Sequence, residues 1–213
     1  MQTGMLLKNY YHNQMEGFVK FNCYWSQSGA VITDEQYEII NHWREILFNL
    51  DLVGAFENGV GFGNISIRIG KSQQFIITGS STGDIPELEP GHYVKVSSYN
   101  IDENAVMCSG PLKASSESLT HAAIYTVDQG TNAIIHVHSY SLWEELMNKV
   151  PTTDPAVEYG TPAMAREMIR IFSEPEVFEK RIIVMAGDRG GLITFGNDLD
   201  EAGGVLFEYI NRQ

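Results

Sequence analysis

Asn64-Ile-Ser-Ile-Arg-Ile69 puts Ile65, Ile67 and Ile69 at alternate positions with polar residues between them. That two-residue period belongs to a half-buried strand. A short polar turn follows, then Phe75-Ile-Ile-Thr78, a second strand. Strands this close in sequence can pair only as hairpins, because a parallel crossover needs a dozen residues or more. Further strands are expected over Tyr93–Ser97, Ala105–Cys108, Ala133–His138, Arg181–Ala186 and Leu192–Phe195. Helices separate some of them. Thr33-Asp-Glu-Gln36 has the form of a capping box and opens a helix over about 34–50. Ser115-Ser116 are expected to cap a helix that runs to about Gln129 and stops at Gly130. Short helical runs follow over Ser141–Lys149 and from Thr161-Pro162 to about Phe172. Asp198 caps a last helix. The expected fold is α/β, one domain, with most strands joined by hairpins and flanked by helices. Residues 1–32 read as an N-terminal arm of the same domain, with 33–213 as its main body. Within the arm, 16–24 alternates as an edge strand and 1–15 reads as arm or untethered tail.

Charge narrows the partners. The 213 residues hold 14 Lys and Arg against 27 Asp and Glu, a net charge of −13. No clustered basic stripe exists to replace phosphate counterions, which argues against nucleic acid and against an anionic membrane surface. No apolar run is long enough to span a bilayer, and the first residues lack a signal-peptide pattern. Cys23 and Cys108 form no CxxC motif, so a reduced, cytoplasmic protein is expected.

The chemistry concentrates in a few places. His136 and His138 lie two apart in one strand, so both imidazoles project from the same face. Two such nitrogens suit a divalent transition ion, and they equally suit a pair of satisfied histidines at a sheet end. Glu117, in the first turn of the helix behind the two serines, is either a helix-dipole complement or a general base beside the ion. His121, four residues on, either orients Glu117 or simply packs. Gly63-Asn64, the loop 78–83 and Ser115-Ser116 could together hold an anion on backbone N–H groups.

Taken in order, these motifs resemble one family. Gly-Asn-Ile-Ser-Ile-Arg (63–68), Ile-Thr-Gly-Ser-Ser-Thr (77–82), Ser-Ser-Glu (115–117) with His121 and Tyr125, and His-Val-His (136–138) look like the class II aldolase/adducin family. Tyr159-Gly-Thr161 and Leu-Ile-Thr-Phe-Gly (192–196) fit the same pattern. The resemblance implies a three-layer α/β/α fold with a central, mainly antiparallel sheet, usually in a homotetramer. It implies a metal held by His136, His138 and a third ligand, with Glu117 as acid/base. It places Asn64, Ser80, Ser115 and Ser116 around a phosphate. The implied activity is that of a metal-dependent lyase of aldolase type, acting on a small hydroxylated carbonyl compound through a metal-stabilised enediolate. An epimerase, a dehydratase or a non-catalytic assembly protein like the adducin head are alternatives on the same scaffold. A tyrosine such as Tyr159 could complete proton transfer.

Two departures from the family pattern carry expectations of their own. Asp188 stands where the third histidine belongs, and either supplies that ligand or is a turn aspartate. With Asp188 as ligand, zinc remains the first choice, and manganese, iron or other ions become eligible. Ser81 stands where a glycine is usual, and Asp84 where many members carry lysine. An acidic side chain beside a phosphate is unfavourable, so Asp84 makes a sugar phosphate, one form the small carbonyl substrate could take, less secure than the full family pattern would.

Overall fold

Hairpins build the centre of the computed structural model, which describes residues 19–212. The strands are β1 (Asn22–Gln27), β2 (Gly54–Ala55), β3 (Gly61–Phe62), β4 (Asn64–Arg68) and β5 (Phe75–Thr78). Then come β6 (Tyr93–Asn100), β7 (Ala105–Gly110), β8 (Ala133–His138), β9 (Ile182–Val184) and β10 (Gly191–Gly196). The helices are α1 (Asp34–Asn49), α2 (Ser118–Val127), α3 (Tyr140–Leu146), α4 (Pro162–Ile171), α5 (Glu176–Lys180) and α6 (Leu199–Ile210). Eight strands form one sheet in the order β1-β7-β6-β5-β4-β8-β10-β9, while β2 and β3 pair separately. Every neighbouring pair in the large sheet is antiparallel except β1 and β7.

The sheet is buried on both faces. Phe75, Ile77, Ile134 and Ile193 meet Leu119 and Ala123 of α2 and Met164 and Met168 of α4. On the opposite face Ile65, Ile76, Ile135 and Val137 meet Ile40, Trp43 and Leu47 of α1 and Leu206 of α6. Helices therefore cover both sides of the expected central sheet. The central strands lose their polar alternation because neither face meets water. Among the described residues, no helix is long and apolar enough to cross a membrane.

Helix starts follow side-chain capping. Thr33 Oγ1 accepts from Gln36 N–H, and Gln36 Oε1 accepts from Thr33 N–H, completing the expected capping box. Thr161 caps α4 with Pro162 behind it, and Asp198 Oδ1 takes the Glu201 N–H at the start of α6. The start of α2 departs from expectation. Ser115 C=O accepts both the N–H and the hydroxyl of Ser118, closing a turn ahead of the helix. The helix then begins at Ser118 with Glu117 at its N-cap, and ends at Val127 rather than Gln129. Glu117 is thus a buried junction residue and not a first-turn dipole complement.

The N-terminal strand also lies further along than expected. Among the described residues it covers 22–27, against the expected 16–24, and pairs in parallel with β7 at the sheet edge; 16–18 lie outside the described residues. Residues 1–18, and with them the tail expected over 1–15, lie outside the described residues. Cys23 and Cys108 are both free thiols, with their sulfurs 3.6 Å apart across β1 and β7.

Candidate metal centre

Strand register brings the site together. His136 and His138 stand on one face at the end of β8. On one side β4 sets Asn64 opposite His136; on the other β10 sets Gly191 opposite His138. The link from β9 to β10 is a tight turn, in which Asp188 N–H donates to Met185 O and Gly191 N–H to Asp188 O at 2.8 Å. That turn folds Asp188 back over the end of β8. It requires glycine at 191, where a Cβ would lie 2.7 Å from Asp188 Oδ2. As a result Asp188 Oδ2 is 3.3 Å from His136 Nε2 and 3.4 Å from His138 Nε2. All three side chains are buried, and their donor atoms lie within 4.8 Å of one another. His136 Nε2 has no aligned hydrogen-bond partner and faces the space it shares with Asp188. Two imidazole nitrogens and a carboxylate oxygen around one point are a donor set that fits a divalent transition ion.

Electrostatics couple this group to Glu117. Burial works to raise the Asp188 pKa, but the two imidazoles outweigh it and hold the carboxyl below the usual carboxylate range. Burial disfavours the charge on His136, yet Asp188 and then Glu117 outweigh it and raise its pKa. Burial is also the main influence on Glu117, and the negative charge of Asp188 adds to it. His136, the Thr120 hydroxyl and Lys20 oppose these only in part, so the Glu117 pKa stands above its ordinary value. Glu117 Oε2 accepts from Thr120 Oγ1 at 2.7 Å, while Oε1 is buried with no partner. Gly160, at φ +66°, lies against that oxygen, where a Cβ would come within 3.3 Å.

His121 takes the packing role of its two readings. Its Nδ1 pairs with Ser66 Oγ at 2.7 Å, and Ser66 in turn pairs with Tyr125 Oη at 2.8 Å. Burial drives the His121 pKa well below the ordinary histidine value, so the ring is neutral.

Above these groups opens a cavity of about 440 Å³. Asn64, Ser80, Ser115 and Ser116 all line it, together with Glu117, His136, His138 and Asp188. Ser81 adopts φ +62°, the left-handed region that favours glycine, which accounts physically for glycine being usual there. Asp84 does not stand by the cradle. It is exposed and is not among the residues that line the cavity, although its neighbour Gly83 is.

Lys113 lines the cavity instead, two residues before the serine pair. Its place was legible as a lone cation next to Ser115-Ser116, but no pattern marked it. Lys20 was not legible at all, because the tertiary path of the chain just ahead of β1 delivers it. Its Nζ lies 2.7 Å from Glu158 Oε1, 3.1 Å from Tyr159 O and 3.5 Å from the centre of the Tyr159 ring. Tyr159 lines the cavity beside it. Phe56 and Phe62, carried by the β2–β3 ribbon, flank the His138 ring at 5.9 and 5.3 Å between centroids.

Comparison with known proteins agrees with this architecture. An L-fuculose 1-phosphate aldolase structure superposes with a TM-score of 0.63 at 19% identity, covering 87% of this chain and 85% of that one. The L-fuculose-1-phosphate aldolase from Thermus thermophilus gives 0.55 at 21% identity over 81% and 85% of the two chains. A sugar-phosphate aldolase from Thermotoga maritima gives 0.58 at 15% identity over 83% and 92%. At these identities the likeness is one of fold. No curated protein matches the sequence. Residues 58–211 match the family described as Class II Aldolase and Adducin N-terminal domain, a span that holds Glu117, His136, His138 and Asp188. The chain belongs to the class II aldolase and adducin family.

Proposed function

We propose that this chain is a metal-dependent carbon–carbon lyase of aldolase type, acting on a small hydroxylated carbonyl compound. The observation that carries the reading is the convergence of three buried ligand atoms with the unpartnered Oε1 of Glu117 in one cavity. His136, His138 and Asp188 would hold the ion, zinc first, with manganese or iron eligible because one donor is a carboxylate oxygen. When bound, the ion supplies a Lewis acid that polarises the carbonyl and steadies the charge that develops on oxygen.

Glu117 moves the proton. A carboxylate buried without a partner on one oxygen is a strong base for its type, and it holds the proton readily once it has taken it. Tyr159, at the cavity wall, is the candidate for completing proton transfer. An anionic end of the substrate would lie against Ser80, Ser115 and Ser116, with Lys113 as the cation nearby. That arrangement makes sugar phosphates the first substrate class to assay.

Elemental analysis tests the reading. The purified or reconstituted protein should carry about one divalent ion per chain under the three-ligand site proposed. His136→Ala should abolish uptake, and Asp188→Ala should weaken it. Protein that stays ion-free after reconstitution would sink the proposal. With the ion in place, Glu117→Gln should keep metal and lose cleavage of sugar phosphates by about 10²–10⁴-fold. An unchanged rate would remove Glu117 from the chemistry.

A further inference from the structure

By family resemblance Asn64 belongs to the anion cradle. Its surroundings give it a second task. Asn64 and His136 are register partners across β4 and β8. Their side chains meet on the cavity face, with Asn64 Nδ2 3.3 Å from His136 Nδ1, and both residues are buried. In this orientation the amide oxygen Oδ1 is buried with no partner. A half-turn of the carboxamide exchanges two ends of nearly equal size and brings Oδ1 to Nδ1. The ring N–H then donates to the oxygen, and the amide nitrogen takes the position that Oδ1 leaves.

The tautomer follows from that bond. A proton on Nδ1 leaves the lone pair on Nε2, the nitrogen that faces Asp188 Oδ2 at 3.3 Å. A histidine that binds an ion through one nitrogen ordinarily donates the other N–H to an acceptor, which fixes ring orientation and tautomer. His138 has no such support among the described residues. Its Nδ1 is buried without a hydrogen-bond partner, and Phe56 and Phe62 flank the ring instead. The polar support of the ion site thus falls on one side chain. We propose that Asn64 is a positioning residue of the ion site, whose Oδ1 accepts the Nδ1–H of His136 and commits Nε2 to the ion. This rests on the ion-site reading given above.

The test uses cobalt(II) as the probe, with affinity read by equilibrium dialysis and by the visible bands of the bound ion. Asn64→Leu keeps the shape and removes the acceptor; Asn64→Asp keeps an acceptor oxygen in the same place. Asn64→Leu is expected to bind cobalt about 10–100-fold more weakly than wild type. Asn64→Asp is expected to stay within a few-fold of wild type. In zinc-loaded wild type, long-range ¹⁵N–¹H spectra should find the His136 proton on Nδ1.

The outcomes separate cleanly. An Asn64 that serves only the anion leaves cobalt affinity unchanged in both variants, and that result overturns the proposal alone. Equal loss in both variants, with melting temperatures matched to wild type, also overturns it, because the acceptor is then not what matters. Wild type that takes up no cobalt overturns the ion-site reading and this proposal together.

Discussion

The role proposed for Glu117 sets chemistry against stability at a single residue. Its carboxyl is fully enclosed, one oxygen bonded to Thr120 and the other to nothing. Burial raises its folded pKa above the unfolded value. A group of that kind stabilises the fold fully below the unfolded pKa, and that contribution is lost as pH rises through the folded pKa. At pH above the ordinary carboxylate range the ion-free protein is therefore destabilised by Glu117, through a disfavoured charge or a proton taken up on folding. Glu117→Gln removes the charge and keeps the shape. Thermal melts of ion-free protein should find the variant more stable than wild type at pH 7–8, with the gap closing as pH falls towards 4. A variant less stable than wild type at neutral pH would mean that the carboxylate is better compensated than its contacts indicate. Sequence exposes this residue by its place after two serines. It does not expose the burial, to which tertiary neighbours such as Gly160, lying against the carboxyl, contribute.

Whole elements meet through close approaches that only small residues permit, and α6 crossing α1 is the sharpest case. A Cβ on Gly203 would lie 2.0 Å from the Trp43 ring, while a Cβ on the adjacent Gly204 would meet nothing within 4 Å. The two glycines therefore predict opposite signs on one helix. Gly203→Ala should destabilise by roughly 1–3 kcal/mol through overpacking. Gly204→Ala should stabilise by about 0.5–1 kcal/mol through helix propensity and unfolded-state entropy. Denaturant titration of the pair decides it, and like signs would contradict the packing described.

The same contrast explains what the sequence discloses about elements. Capping boxes, Pro at N1 and alternating isoleucines act within a few residues, so α1, α4, α6, β4 and β5 are legible. The β2–β3 ribbon and α5 are not, because two-residue strands and a five-residue helix hold by tertiary contact rather than by pattern. In the site, His136 and His138 are visible from strand period alone. The proximity of Asp188 is not, since it depends on β8–β10 register and on a turn that needs Gly191.

At the scale of the molecule, the span matching the family begins at residue 58, so β1 and α1 lie ahead of it. Both still bear on the cavity. Lys20, just ahead of β1, packs on Tyr159 of the cavity wall and pairs with Glu158. Arg44 of α1 donates to the carbonyls of Thr82, Gly83 and Ile85, which holds the far end of the 78–83 loop. Lys113 brings positive charge to the cavity of a chain whose net charge is −13. Those two facts act over different distances, and the difference has a kinetic consequence. Within a few ångströms Lys113 favours an anion, but at about 0.01 M salt the net field reaches roughly 30 Å and repels it. Raising ionic strength from about 0.01 to 0.15 M shortens the reach of that repulsion. Inorganic phosphate or a phosphorylated substrate should then arrive faster in stopped-flow mixing, whereas a rate that falls with salt would mean Lys113 dominates the approach as well as the contact. The anion proposed for this cavity thus meets a short-range trap behind a long-range barrier, and salt lowers the barrier first.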